Sequence, residues 1–286
     1  MTDHIRPVDA SAKVDLLVVG GLTIDDIGEW VQAAGGAARY ATEGALAGGL
    51  QVALLTVAGD EPIARVALER LAARADVMRE PATASIGFEH HGPGEPRRLR
   101  LLAPGGRIQI PSPGRVPGAA AVLFAPVAGE VSARVLDAVH APFRAAGIQG
   151  WLRKTDADGW VVSKPLAEQD TRLADALRGL DLLVASLQDL GAADGPSALA
   201  KLRAWAGAGP ELVVTGGTDG AWLDDGTGPP VRVPAEAVSD RHTIGAGDAF
   251  AAVLAARRGA GIDLRTAAAE ATAATARYLA TRPEPG

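Results

Sequence analysis

The sequence predicts an α/β fold in which a mostly parallel sheet is covered by helices on both faces. Three observations predict it. Short, uniformly apolar runs of strand length recur along the chain, as parallel strands buried on both faces require. They alternate with Ala-rich or amphipathic stretches of helical length. The Gly-rich and acidic motifs follow directly on the apolar runs, and ligands of open α/β sheets bind beyond the carboxyl ends of strands. With 286 residues, 48% of them hydrophobic and 22% charged, the chain can bury one large core and is not a disordered sequence.

In chain order, Asp15 to Gly20 is an apolar run ending in glycines and reads as a buried strand. Gly36 to Gly48 is Ala-rich and reads as a helix, and Gln51 to Val57 as the next strand. Ile63 to Arg74 places apolar residues at helical spacing among charges, the pattern of an exposed amphipathic helix. Residues 85 to 110 break the alternation: Gly92, Pro93, Gly94 and Pro96 precede LRLLAPGGRIQI, which reads as β-hairpins. Ala120 to Ala125 returns to a buried strand, Ser132 to Ala146 to a helix, and Gly147 to Leu152 to a strand. Thr171 to Leu180 is a helix, Asp181 to Ala185 a strand, Pro196 to Ala206 a helix and Glu211 to Thr215 a strand. A short extended piece at Pro230 to Val233 leads to two closing helices, Asp248 to Arg258 and Leu264 to Ala280. No repeat, low-complexity tract or Ser-rich linker marks a second domain, so residues 13 to 286 are expected to form one unit after a loose tail of residues 1 to 12.

The net charge of −6 argues against nucleic acid as the main partner. The absence of cysteine excludes disulfides and thiolate chemistry. The first residues lack the apolar core of a signal peptide, and no stretch reaches the roughly 20 apolar residues of a membrane span. These features lead to the expectation of a cytoplasmic protein without a membrane partner.

The chemistry concentrates in Thr243-Ile244-Gly245-Ala246-Gly247-Asp248-Ala249-Phe250. Gly245, Ala246 and Gly247 leave the backbone open, so N–H groups of Ala246, Gly247 and Asp248 can converge on an anion. The helix that starts there adds the favourable end of its dipole. An acid beside an anion hole suits removal of a proton from a hydroxyl that attacks a phosphate. Taken alone, the pattern also fits a Gly-rich turn capped by an Asp.

GAGDAF late in the chain resembles the signature of the PfkB, or ribokinase-like, carbohydrate kinases. Two further blocks resemble the same family, in the family's order. Gly35 to Glu61 is similar to its Gly-Gly substrate loop, the helix after it and a strand ending in Gly59-Asp60. Val213 to Leu223, VVTGGTDGAWL, is similar to its nucleotide-binding strand and turn. The resemblance covers most of residues 15 to 280. It implies a ribokinase-like three-layer sandwich with a small β-lid, here from about residues 22 to 34 and 85 to 110, closing over the substrate. It implies ATP and Mg2+ as cofactors and a small-molecule sugar, polyol or nucleoside as substrate. Members often dimerise through lid strands, and the hairpins here permit a homodimer.

By the same resemblance Asp248 is the catalytic base, with Gly245, Ala246 and Gly247 forming the anion hole. Asp25 or Asp26 matches the acid that reads substrate hydroxyls, with Asp25 favoured as the one pointing inward. Gly35 and Gly36 match the loop that lets backbone approach the substrate. Arg39, one helical turn on, could reach the substrate or remain a surface residue. Thr215, Gly217 and Gly220 match the turn near the nucleotide's phosphates and ribose. Ser186 and Asp189 align with an Asn-x-x-Glu motif that organises Mg2+ through water, and both positions are changed. Asp189 keeps the charge on a shorter arm, so a metal role through water survives. His242 and Ile244 replace an Asp and a Thr of the family's pattern, which puts a monovalent cation in doubt. Asp240, two residues earlier, is out of register to compensate. Gly147 to Arg153, followed by TDADG, looks like the inositol-kinase-like branch, and Gln149 and Arg153 are positioned there for substrate or nucleotide contact.

The favoured expectation is an ATP-dependent kinase of a sugar or polyol, inositol-like in preference. A nucleoside kinase would need an apolar wall for the base, and Phe88 is the main candidate in the expected lid. A catalytically impaired binding protein is the alternative that the changes at Ser186, Asp189, His242 and Ile244 motivate. A dinucleotide-binding dehydrogenase is rejected, because Gly20-Gly21 lacks the spaced glycines of that fingerprint. His90 and His91 lack a third metal ligand and read as lid-loop residues. Arg97, Arg98 and Arg100 read as solvated, and the tryptophans as packing residues.

Overall fold

The computed structural model describes residues 13–28, 31–91, 98–112, 114–238 and 243–281. The expected tail, Arg97, Asp240 and His242 lie outside them. The first half of the chain forms β1 (Lys13–Val19), β2 (Thr23–Asp26), β3 (Gln32–Gly35), α1 (Ala37–Ala47), β4 (Val52–Ala58), α2 (Pro62–Ala72), β5 (Asp76–Pro81), β6 (Ile86–His91) and β7 (Arg98–Pro104). There follow β8 (Gly118–Phe124), α3 (Ala133–Ala138), β9 (Phe143–Gly147), β10 (Arg153–Thr155), β11 (Val161–Ser163), α4 (Thr171–Arg178), β12 (Leu182–Ser186) and α5 (Leu187–Leu190). The chain closes with α6 (Gly195–Ala206), β13 (Glu211–Thr215), β14 (Ala221–Asp224), β15 (Val231–Val233), α7 (Ala246–Gly259) and α8 (Leu264–Thr281).

A nine-stranded sheet runs in the order β15-β14-β13-β12-β9-β8-β1-β4-β5. Its strands from β13 to β5 pair in parallel, and β14 and β15 extend it as an antiparallel hairpin. The sheet separates two apolar layers because alternate side chains of each strand point to opposite faces. Leu16 and Val18 of β1 join the layer made with α1, α2, α7 and α8, and Leu17 and Val19 the layer made with α3, α4 and α6. The three-layer sandwich expected from the sequence is therefore the observed fold. From β1 the chain moves outward through β4 and β5, then returns to place β8 on the other side of β1. The carboxyl ends of β1 and β8 thus flank a topological switch point, the usual ligand position in such sheets.

A second sheet, in the order β3-β2-β6-β7, stands beside the first. The β10–β11 hairpin touches it through a bridge between Arg100 and Trp160. Leu101 N–H also donates to Gly159 O at 2.9 Å.

One stretch departs from the sequence-based expectation. Residues 132 to 146 read as one helix, but α3 stops at Ala138 and Phe143–Gly147 is the buried strand β9. The reason is Pro142, which disfavours helical backbone at Ala141 before it. The expected strand from Gly147 is accordingly displaced, and Ile148–Trp151 is a 3-10 turn. Strands β5, β10, β11 and β14 and the short α5 also have no counterpart in the sequence-based reading.

Candidate active site

Asp248 lies in the first turn of α7, three residues after the N-cap Gly245. Gly245 adopts φ 80°, a left-handed conformation, and a Cβ there would stand 2.3 Å from the Tyr40 ring. No other residue type fits. Ala246 N–H donates to Thr243 O at 3.0 Å. Ala246 N–H is thus engaged within the turn, and Gly247 and Asp248 follow it as the next two residues of the helix start. Among the described residues, no atom lies within 4 Å of where a Gly247 Cβ would be. The helix start is also the positive end of the α7 dipole.

Asp248 is half-buried, and the protein around it is dense enough that burial pushes its carboxyl from 3.8 up to about 7. Arg153 pulls it down and Asp189 adds to the rise. Such a carboxyl exchanges a proton near neutral pH, as a general base should. Burial in turn lowers the Arg153 pKa, while Asp189, Asp248, Asp25 and Glu130 favour its charge, in that order. The guanidinium thus stands within electrostatic reach of carboxylates from four separate segments. Its Nη1 lies 3.5 Å from Val127 O. Gln149 is half-buried in the 3-10 turn just before it.

On the acceptor side, Asp25 points toward Gly35 and His90, with His90 Nε2 3.5 Å from its Oδ2. Asp26 instead caps its own turn, accepting from Gly28 N–H at 3.1 Å. Gly36 has φ 103°, and a Cβ there would meet Gly21 O at 2.6 Å, so the β3–α1 junction must be glycine. Arg39 is committed within the protein. Its Nε donates to Glu43 at 2.8 Å and its Nη1 to Ala34 O, while Tyr278 OH donates to Glu43 at 2.9 Å. These contacts fasten the β3–α1 junction.

On the opposite side, register places Ser186 beside Thr215 at the carboxyl ends of β12 and β13. Gly217 has φ 60° with open space beside it. Gly220 has φ 87°, and a Cβ would collide with Val233 O at 2.1 Å. Gly216 N–H donates to Gly220 O at 2.8 Å, which closes a tight turn after the strand. Ser186 and Asp189 form a capping box at α5. Ser186 N–H and Oγ donate to Asp189 Oδ2 at 3.0 and 2.7 Å, and Asp189 N–H donates back to Ser186 Oγ at 3.0 Å. Both Ser186 donors use the same Asp189 oxygen, Oδ2. Among the described residues, no three His, Asp or Glu side chains converge as a metal cage. Such a donor set fits a cation carried chiefly by phosphate oxygens, for which Asp189 is the acidic residue that would be available.

Glu130 was not anticipated. It is 2% exposed, and its carboxylate accepts from Gly21 N–H at 2.7 Å, Val127 N–H at 3.0 Å and Ala128 N–H at 2.9 Å. It thereby ties the loop after β1, which leads to Asp25, to the loop after β8, whose Val127 O meets Arg153. Its Gly-Glu-Val context carries no local motif, so only the folded chain exposes the role. A cavity of about 730 Å³ lies elsewhere, between α3 and α4, lined by Asp137, Arg144, Asp170 and Arg172 at the amino end of the sheet. It contains none of these residues.

Solved structures of similar fold are kinases. A pyrophosphate-dependent kinase of the ribokinase family, complexed with a pyrophosphate analogue and myo-inositol, superposes with a TM-score of 0.73 at 17% identity, covering 93% of this chain and 95% of its own. Arabidopsis thaliana ribokinase, complexed with ribose and ATP, gives 0.69 at 15% identity and 94% coverage of both chains. Aminoimidazole riboside kinase from Salmonella enterica gives 0.67 at 18% identity, covering 95% and 94%. No curated protein matches by sequence. The family model described as pfkB family carbohydrate kinase matches residues 138–282, just over half of the chain and the part that holds Arg153, Asp189 and Asp248. The chain belongs to the pfkB family of carbohydrate kinases, phosphotransferases whose acceptor is an alcohol group.

Proposed function

We propose that this kinase transfers the γ-phosphoryl group of ATP to a hydroxyl of an uncharged sugar or polyol, inositol-like in preference. The observation that carries the reading is Asp248: a carboxyl raised to about 7 in the first turn of α7, at the positive end of the helix dipole. The four-stranded sheet acts as the lid, and Asp25 at its inner edge orients the acceptor. Asp248 takes the acceptor proton as the acceptor oxygen bonds to phosphorus and the bond to the donor's bridging oxygen breaks. Gly247 and Asp248 N–H groups hold the transferred oxygens, and Arg153 offsets their charge. Gln149 and Arg153 flank the acceptor, and Thr215, Gly217 and Gly220 border the donor. Asp189 is the residue that would help hold Mg2+, which would supply further charge neutralisation.

The polyol preference over a nucleoside rests on Phe88, which is 4% exposed and packed into the core, so it offers no open wall to a base. Inositol is also the acceptor bound in one similar structure, and pyrophosphate is the donor there, so both donors belong in the test. The test measures ADP release from ATP, and phosphate release from pyrophosphate, across polyols, sugars and nucleosides. Turnover with one polyol or sugar that collapses in Asp248→Asn supports the reading. Tight donor binding without turnover on any acceptor favours a catalytically impaired binding protein.

A further inference from the structure

The inner face of the four-stranded sheet carries a polar group that phosphoryl transfer itself does not use. Thr23 and Asp25 are two residues apart on β2 and therefore share a face. Register sets Thr23 between Gly35 of β3 and Ile86 of β6, and Asp25 between Ala33 and Phe88. His90, two residues beyond Phe88, falls on the same face, and its Nε2 reaches to 3.5 Å from Asp25 Oδ2 with its side chain only 15% exposed. Across from Thr23 stands Gly35 of β3. A Cβ on Gly35 would stand 2.3 Å from Asp25 Oδ2 and 2.7 Å from Thr23 Oγ1.

Thr23 is 1% exposed, yet its Oγ1 has no hydrogen-bond partner among the described residues, and neither does the buried Oδ1 of Asp25. A buried polar atom without a partner is costly, so two side by side point to a ligand that supplies the partners. The chemistry of the three groups defines that ligand. The carboxylate only accepts, the hydroxyl donates and accepts, and the imidazole nitrogen does either. Two adjacent hydroxyls satisfy all three: each gives its hydrogen to one Asp25 oxygen, and each accepts from Thr23 or His90. An anionic acceptor would meet the Asp25 charge at close range.

We propose that His90 and Thr23 are specificity-determining residues which, on either side of Asp25, select an uncharged acceptor bearing two adjacent hydroxyls. This rests on the proposed kinase reading and names its acceptor class.

The test compares wild type with His90→Leu, His90→Gln and Thr23→Val on myo-inositol, its monodeoxy analogues, D-ribose, D-fructose and adenosine, with ATP and with pyrophosphate. Melting temperatures establish that each variant is folded. The accepted compound is expected to carry a vicinal diol. His90→Leu and Thr23→Val are expected to raise its KM about tenfold or more, as loss of a hydrogen bond to a hydroxyl does, with kcat held within about threefold. His90→Gln, which keeps a donor at similar reach, is expected to recover most of the loss. On the deoxy analogue that lacks the hydroxyl read by His90, wild type and His90→Leu should have equal KM, which a merely structural histidine would not produce. Wild-type turnover with an unchanged KM in His90→Leu, or an equal penalty on every analogue, overturns the proposal and leaves the kinase reading intact. No turnover by wild type on any acceptor overturns both.

Discussion

At the residue scale, Asp248 as the proposed base would set the pH response of the site. A base must be deprotonated to act, and burial holds this carboxyl up at about 7. The ratio kcat/KM is expected to rise about tenfold per pH unit below 7 and to level above it. A profile flat from pH 5 to 8 would remove Asp248 from the role. Asp248→Asn is expected to lower kcat by about 10²- to 10⁴-fold, the range of general-base contributions. The same shift has an opposite sign for stability. Because the folded pKa is raised, the native state binds more protons than the unfolded chain between 3.8 and about 7, so stability falls as pH rises through that window. The Asn variant escapes this cost. Its melting temperature should exceed that of wild type at pH 8, with the gap shrinking as pH falls from 7 toward 4.

At the scale of elements, two close approaches hold the site together. Gly44 of α1 lies against Ala249 of α7 so tightly that a Cβ would stand 2.3 Å from the Ala249 Cβ and 2.6 Å from its Cα. That contact locks the helix after the Gly35-Gly36 junction to the helix that begins at Gly245. Gly44→Ala is expected to force the helices apart and cost about 1–3 kcal/mol in denaturant unfolding, with kcat falling as the anion hole shifts. Glu130 does the equivalent for two loops. Glu130→Ala would leave the N–H groups of Gly21, Val127 and Ala128 without their acceptor, and about 3 kcal/mol or more of stability should be lost. Unchanged unfolding of that variant would show that the loops hold each other without it. The glycine at the α7 start and the acid after it were legible in the sequence, because a turn-helix junction is a local pattern. Gly44 and Glu130 were not, since their meaning lies in residues distant along the chain.

At the scale of the whole molecule, the two ends of the central sheet have separate duties. Asp25, Arg153, Asp189, Thr215 and Asp248 all gather at the carboxyl ends of the strands. The amino end carries structural pairing: Arg258 Nε and Nη2 donate to Glu211 at 2.8 and 2.5 Å, and the guanidinium stacks 5.5 Å from the Phe143 ring. Both side chains are mostly buried, at 19% and 18% exposure. Arg258→Ala is expected to cost about 3 kcal/mol in unfolding by leaving Glu211 without its partner, while kcat and KM stay at wild-type values. A change in KM would show that the two ends are coupled.

Sequence alone determined the alternation of strands and helices, the parallel sheet and the position of Asp248. Apolar periodicity and backbone chemistry act over a few residues and are written locally. The same local signals failed at Ser132 to Ala146, where Pro142 outweighed the helical composition around it. Only the tertiary structure decided that Ala246 is engaged, that Arg39 serves a junction and that Asp189 caps its own helix. It alone brought His90 to Asp25, left Thr23 Oγ1 without a partner among the described residues and set Glu130 between two loops. Hydrogen bonds and burial depend on which distant segments meet, and that is fixed by packing the whole chain at once.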